Sequence, residues 1–105
     1  MKQPTDSLWG AIIDDLDVDL EKQLVKIGCY VSTDGQRVTH ELRCCGVSDF
    51  RFFSSIPSPL NYVELTEIHV IKDSAGQTLL EIVIWPESAG MSIKADRIEV
   101  DRKLL

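Results

Sequence analysis

Residues 62–85 read YVELTEIHVIKDSAGQTLLEIVIW and contain two apolar runs, rich in β-branched side chains, on either side of the turn sequence DSAG at 73–76. Such runs around a short Gly-containing loop predict a β-hairpin. In the second arm two apolar sets alternate: Leu80, Ile82 and Ile84 on one face, and Leu79, Val83 and Trp85 on the other. Because both sets are apolar, we expect this strand to lie inside a sheet with both faces covered.

Chain length predicts one globular domain over residues 1–105. Of the 105 residues, 44% are hydrophobic and 27% are charged, and two halves would each be too small to bury a sizeable core. The sequence shows no signal-peptide pattern, and no apolar run approaches the roughly 20 residues needed to span a bilayer. We therefore expect a cytoplasmic protein that does not associate with membranes.

Net charge indicates the kind of partner, and the cysteine content indicates the redox compartment. Seventeen acidic against eleven basic side chains give a net charge of -6, which repels nucleic-acid phosphates and attracts a basic protein. The three cysteines, Cys29, Cys44 and Cys45, are odd in number and two are adjacent, a pattern that rarely forms a disulfide framework. Reduced thiols in a reducing compartment are the expectation.

The first half of the chain alternates apolar and polar residues with a period of two. Carboxylates and aliphatic side chains alternate at 15–20: Asp15, Asp17 and Asp19 with Leu16, Val18 and Leu20. This pattern predicts a strand with one dry face and one acidic face. Alternation resumes at Val25 after a short connection at 21–23, so we expect a first hairpin over residues 13–31.

A third strand follows the Asp34-Gly35 pair, which is typical of hairpin turns. One face of this strand is predicted to carry Val38, His40, Leu42 and Cys44, and the other to carry Arg37, Thr39, Glu41 and Arg43. Gly46 predicts a bulge or tight bend, and Phe50 and Phe52 begin a short fourth strand ending near Phe53. Residues 54–61, with two prolines, are expected to form a loop, as are residues 86–90.

In two later strands the apolar residues change from odd-numbered to even-numbered positions partway along the strand. Val63 and Leu65 give way to Ile68 and Val70, which predicts a bulge near residues 66–67. The final strand shows the same change across residues 96–97, so we expect it to be bent or divided into two.

These patterns together predict an all-β, mainly antiparallel fold. We expect a meander of six or seven strands that forms a sandwich or a partly open barrel. A short N-terminal helical turn, capped by Asp6 or Ser7 and anchored by Trp9, completes the prediction. The alternative is a curled sheet covered by one N-terminal helix over residues 7–14.

The acidic cluster of the first strand does not have the spacing of a calcium loop. A loop starting at Asp15 needs Gly at its sixth position and Glu at its twelfth, where this chain has Leu20 and Lys26. Alternate carboxylates of a strand also lie in a line and do not converge on one ion. Asp14, Asp15, Asp17 and Asp19 are therefore interpreted as a solvated face, with Asp15, Asp17 and Asp19 as candidate partner-binding residues.

The remaining polar residues give no enzymatic or metal signature, and we expect no cofactor. Cys29, Cys44, Cys45, His40 and His69 offer zinc-ligand types without a paired spacing such as Cys-x-x-Cys. Cys44 is interpreted as a small core residue and His40 as a hydrogen-bonded residue at the rim of the core. Catalysis would require the fold to bring distant groups such as His40, Cys44 and Glu64 together.

Six aromatic residues are interpreted as core residues: Trp9, Phe50, Phe52, Phe53, Tyr62 and Trp85. A stacking platform for single-stranded nucleic acid needs basic side chains between the aromatics, and only Arg51 meets that need.

The run CGVSDFRF at 45–52, the run YVELTEI at 62–68 and the acidic first strand resemble the small bacterial YxiG-like proteins, over most of the chain. The resemblance implies a binding role, since some of these proteins are similar to immunity proteins encoded near toxins. Our first hypothesis is a non-catalytic module whose acidic face binds a basic toxin domain. The alternative is a small-ligand-binding β-domain with a pocket near His40, His69 and Trp85.

Overall fold

The computed structural model describes residues 4–55, 63–85 and 89–105 of the chain. A 3₁₀ turn at Pro4–Leu8 precedes seven strands: β1 (Ile12–Asp19), β2 (Leu24–Thr33), β3 (Gln36–Ser54), β4 (Leu65–Lys72), β5 (Thr78–Ile84), β6 (Ala89–Val100) and β7 (Lys103–Leu104). The predicted all-β class and the N-terminal helical turn are confirmed. None of the described residues forms a helix with the length and apolar character that crossing a membrane requires.

All strand pairs are antiparallel, in the order β1-β2-β3-β6-β5-β4, with β7 beside β6. The sheet thus consists of two three-stranded meanders joined through β3 and β6. A single consecutive meander would have placed β4 beside β3. With 19 and 12 residues, β3 and β6 are the two longest strands, and their pairing puts both in the middle of the sheet.

The sheet curls without closing, and its two edge strands meet at one end. The Leu65 N–H donates to the Ala11 carbonyl at 2.8 Å, and the Ile13 N–H donates to the Val63 carbonyl at 2.7 Å. A single bridge between Ile12 and Glu64 lies between these bonds. Beyond this junction the described parts of β1 and β4 make no further pairs with each other. The architecture is one open sheet, as the prediction of a partly open barrel allowed.

The core lies on the concave side, which we call the inner face. Its residues are at most 4% exposed: Leu8, Ala11, Val25, Ile27, Cys29, Leu42, Cys44, Leu65, Ile68, Leu80, Ile82, Ile84, Ala89, Met91, Ile93, Ala95, Ile98 and Val100. Both predicted parity changes are confirmed. The β4 register shifts between Leu65 and Glu67, and both Ala95 and Ile98 of β6 are buried.

The predicted third and fourth strands are one continuous strand, β3, with a bend in it. Gly46 has a φ of +67°, and the register with β6 shifts between Val47 and Asp49. A Cβ atom at Gly46 would overlap the side chain of Asp96 on the neighbouring strand. The bend therefore needs glycine for two reasons, backbone conformation and space.

Several expectations about burial are wrong. Of the aromatic residues placed in the core, Trp9, Phe52, Phe53 and Trp85 are 47%, 54%, 57% and 49% exposed. Tyr62 lies outside the described residues. The N-terminal turn is anchored by the buried Leu8 instead of Trp9, and a helix over 7–14 does not form because β1 starts at Ile12.

The two faces of β5 also differ from the prediction. Leu80, Ile82 and Ile84 are buried on the inner face, whereas Leu79 and Val83 on the other face are only half-buried. One sheet has one core-facing side, and within the described ranges no second layer covers the outer face of β5.

Candidate interaction surface

Two apolar residues of β1, Leu16 and Val18, lie on the inner face but are not covered. Leu16 and Val18 are directly opposite Ile27 and Val25 of β2, and these two partners are buried. Residues directly opposite in a strand pair point to the same side of the sheet. Leu16 and Val18 are nevertheless 45% and 41% exposed, which corrects the prediction of a dry face. β1 is an edge strand, and the described chain places nothing beside it after the junction.

An open apolar groove runs along the inner face beside β1. One part, of about 260 Å³, is lined by Leu16 and Phe52 together with Ile13, Val63, Ile84 and Met91, and Asp14 and Asp15 also border it. A second part, of about 350 Å³, is lined by Val18, Leu20, Val47 and Phe50 together with the polar residues Asp19, Gln23, Ser48 and Asp49. We call the surface of Leu16, Val18, Leu20, Phe50 and Phe52 the β1 groove. Exposed apolar side chains gathered in one groove are typical of an interaction site.

The carboxylates of β1 lie on the outer side of the same strand. Asp15 and Asp17 are exposed and lie opposite Gly28 and Lys26 of β2. Asp14 has no cross-strand partner because the register shifts between Ile13 and Asp15. The strand therefore presents acidic groups on one side and the β1 groove on the other.

Asp19 has a different role from the other two predicted partner-binding residues. Its Oδ1 accepts a hydrogen bond from the Lys22 N–H at 3.1 Å, which stabilises the turn between β1 and β2. Asp19 is half-buried, so Asp15 and Asp17 carry most of the accessible charge. No three His, Cys, Asp or Glu side chains of the described chain could hold a metal ion together.

His40 makes a polar contact that the sequence does not reveal. Its Nδ1 lies 2.6 Å from Asp101 Oδ2, and the Glu41 N–H donates to Asp101 Oδ1 at 2.8 Å. Partial burial of Asp101 opposes its ionisation. The hydrogen bonds from His40 and Glu41 and the charges of His40 and Lys103 nevertheless lower the pKa of its carboxyl. The prediction that His40 is a hydrogen-bonded residue at the rim of the core is confirmed. Its contact with Asp101 connects β3 to the turn after β6.

Two of the three cysteines, Cys29 and Cys44, are buried and have raised thiol pKa values. Cys44 is fully buried, as predicted, and burial with the nearby Cys45 raises the pKa of its thiol to about 12. Burial, with the charges of Asp101 and Asp14, raises the pKa of Cys29 to about 11. Buried, protonated thiols are poor nucleophiles and poor metal ligands.

The groups considered for catalysis are not assembled. His40 and Cys44 are four residues apart along one strand, which separates them by about 13 Å. Glu64 lies at the junction of the sheet edges, where it pairs with Ile12.

A separate cavity of about 690 Å³ lies beside β4, between the N-terminal turn and the C-terminus. Its lining includes Trp9, His69 and Glu81. The rings of Trp9 and His69 meet edge to face with centroids 6.4 Å apart, and His69 Nε2 lies 3.4 Å from Glu67 Oε1. Neither His40 nor Trp85 lines this cavity, so the three residues predicted to share a pocket are not brought together there.

Comparison with known proteins supports the fold and assigns no function. No family model and no curated protein matches the chain. Among solved structures, the chain is similar to an uncharacterized protein from Neisseria gonorrhoeae. The TM-score is 0.69 and the sequence identity 11%, over 89% of this chain and 91% of the other. At this identity the likeness establishes a shared architecture.

Proposed function

We propose that the chain is a non-catalytic protein-binding module and that β1, with the β1 groove, receives a basic protein partner. The observation that carries the proposal is the exposure of Leu16 and Val18, at 45% and 41%, beside the exposed carboxylates of Asp15 and Asp17. Apolar residues supply area for binding, and charge supplies attraction and orientation.

Charge reversal tests this proposal directly. Wild type, as bait, should capture a basic partner that Asp15→Lys/Asp17→Lys captures poorly. The matched control, Glu67→Lys/Glu81→Lys, alters carboxylates on the outer face of β4 and β5 by the same total charge and should capture it normally. Asp19 is left unchanged because it stabilises a turn.

Association rates measured at several salt concentrations test whether charge attraction causes the difference in capture. The β1 variant should associate more slowly with the captured partner, and its rate should depend less on salt, because the attraction being screened has been removed. Equal rates and equal salt dependence for wild type and the β1 variant would contradict the proposal.

The resemblance to YxiG-like proteins adds a partner class, a basic toxin domain. If the captured partner is toxic when produced alone, co-production of wild type should restore growth, and the β1 variant should not. A captured partner without toxic activity would remove the immunity role and leave the binding role in place.

A small-ligand-binding domain is the second candidate, favoured by the cavity of about 690 Å³ beside Trp9 and His69. This volume lies within the range of known ligand sites. A fragment library screened by NMR should then shift the ring signals of both residues, and Trp9→Ala should abolish those shifts. Fragments that leave both rings unperturbed would eliminate this candidate.

A further inference from the structure

We infer that β1 receives its partner as an added β-strand, in which lysine or arginine alternates with apolar side chains. This inference rests on the proposed function, since it specifies how a basic partner binds. Three features of the described chain carry it: a strand edge without a neighbour, an uncovered apolar groove on the inner side, and carboxylates on the outer side.

The backbone of β1 can accept another strand. Between Asp14 and Asp19 the described chain pairs β1 with β2 on one side only. The other edge of such a strand presents the N–H and C=O groups of every second residue. Six residues span about 20 Å, which is enough for a strand of ordinary length to add by main-chain hydrogen bonds.

The side chains of β1 specify the pattern of the added strand. Its residues opposite Leu16 and Val18 would enter the β1 groove toward Phe52 and Phe50, where apolar groups remove exposed surface from water. Its residues opposite Asp15 and Asp17 would lie on the outer side, where basic groups face carboxylates. Opposite charges in cross-strand pairs stabilise a sheet.

A second copy of this chain is a poor occupant for the same edge. Two β1 strands side by side would bring Asp14, Asp15, Asp17 and Asp19 of both copies together, in a protein that already carries a net charge of -6. Like charges opposite each other destabilise strand pairs. Charge complementarity thus selects a basic strand.

The other edge of the sheet does not offer the same combination. On β4 the inner-face residue Ile68 is 4% exposed and Val70 packs against the core. Its outer side carries His69 and Glu67 in contact with each other. An added strand at β4 would lie beside the cavity of about 690 Å³, but it would find no row of carboxylates on the outer side.

Peptides provide the test, with the full-length ¹⁵N-labelled chain observed by NMR at low salt. The probe is a short capped peptide of alternating lysine and valine. One control peptide has the same composition with lysines and valines in separate blocks. Two others carry N-methyl groups on either the lysine or the valine amides, since only one of these sets can face β1.

The alternating peptide should shift the amide signals of residues 14–19 and slow their hydrogen exchange. One N-methylated peptide should bind about tenfold more weakly or worse, as expected from losing one or more backbone hydrogen bonds. The other should retain binding, and the block peptide should bind weakly. Leu16→Thr/Val18→Thr should weaken binding of the alternating peptide.

Other outcomes overturn the inference in distinguishable ways. If all four peptides bind equally and Asp15→Lys/Asp17→Lys abolishes binding, strand addition is wrong and the proposed function stands. If the shifts fall on β4 instead, the choice of edge is wrong. If Asp15→Lys/Asp17→Lys binds every peptide as tightly as wild type, the acidic partner site fails together with the inference.

Discussion

Two strands of this protein carry the same kind of alternating apolar pattern and end in opposite environments. On β5, Leu80, Ile82 and Ile84 are at most 2% exposed, whereas on β1 Leu16 and Val18 are 45% and 41% exposed. Both sets lie on the inner face of one sheet. β5 lies between β4 and β6, whereas β1 has a single neighbour among the described strands, and no described segment covers Leu16 and Val18. Edge position alone does not expose such a face, because Ile68 of the other edge strand, β4, is 4% exposed.

An apolar period of two is often taken to mean both that side chains share a face and that this face is buried. The comparison of β5 with β1 shows that these are separate properties. The period indicates which side chains share a face. Whether that face is covered depends on the neighbours that the topology provides. An apolar face left uncovered at a sheet edge has a cost in solubility, and the acidic residues of β1 oppose aggregation there. This combination motivates the proposal of a partner site.

The largest expected effect is loss of stability on truncation within β5. Ile82→Ala should lower the free energy of unfolding by about 2–5 kcal/mol, because it removes a buried side chain and leaves a cavity. Chemical denaturation measures the loss. The matched control, Leu16→Ala on β1, should cost less than about 1 kcal/mol, as for other surface positions. Equal losses in the two variants would break the comparison.

The bend of β3 should give the next largest effect. Gly46→Ala places a side chain at φ +67° against Asp96 and should destabilise the protein by about 1–3 kcal/mol. Gly35→Ala, at φ +77° in an open turn, is the control and should cost about 1 kcal/mol. If Gly46→Ala were the milder change, the close approach of β6 to this bend would be wrong.

Replacement of the exposed apolar pair of β1 should have a small effect on folding. Leu16→Thr/Val18→Thr places β-branched threonine at both positions of the strand and should change stability by less than about 1 kcal/mol. Thermal unfolding and binding of the alternating peptide are measured on the same sample. A large drop in stability would mean that these side chains are covered in solution.

The smallest expected effect is the pH dependence of stability that arises from Asp101. A lowered pKa for Asp101 means that its ionisation stabilises the folded state above the unfolded-state pKa, near 4. That stability is lost as the pH falls toward the lower folded-state pKa. Asp101→Asn should therefore be less stable than wild type at about pH 7, and the gap should narrow at about pH 3. Asparagine tolerates the φ of +50° at this position, so the backbone is preserved.

Local features of the fold could be predicted from the sequence. The turn at Asp34 and Gly35 has positive φ at both residues, as the Asp-Gly pair indicates. The bulge after Leu65 and the change of buried positions between Ala95 and Ile98 of β6 could be predicted from the apolar parity. Each of these depends on residues next to one another in the chain.

Features that depend on distant parts of the chain could not be predicted. The pairing of β3 with β6, the contact of His40 with Asp101 and the exposure of Leu16 all depend on which strands become neighbours. The short strand β7 was also not predicted. The turn before it places Asp101 and Arg102 at positive φ, and no glycine in the sequence indicates that turn. The candidate surface was therefore only half predicted: its carboxylates were identified, and its groove was not.

Solvent accessibility of individual methyl groups tests the central claim most directly. A soluble paramagnetic reagent added to a methyl-labelled sample broadens the signals of exposed groups and spares buried ones. The account predicts strong broadening for the methyl groups of Leu16 and Val18 and almost none for Leu80 and Ile82. Equal protection of all four would show that the β1 groove is covered, and would contradict the account.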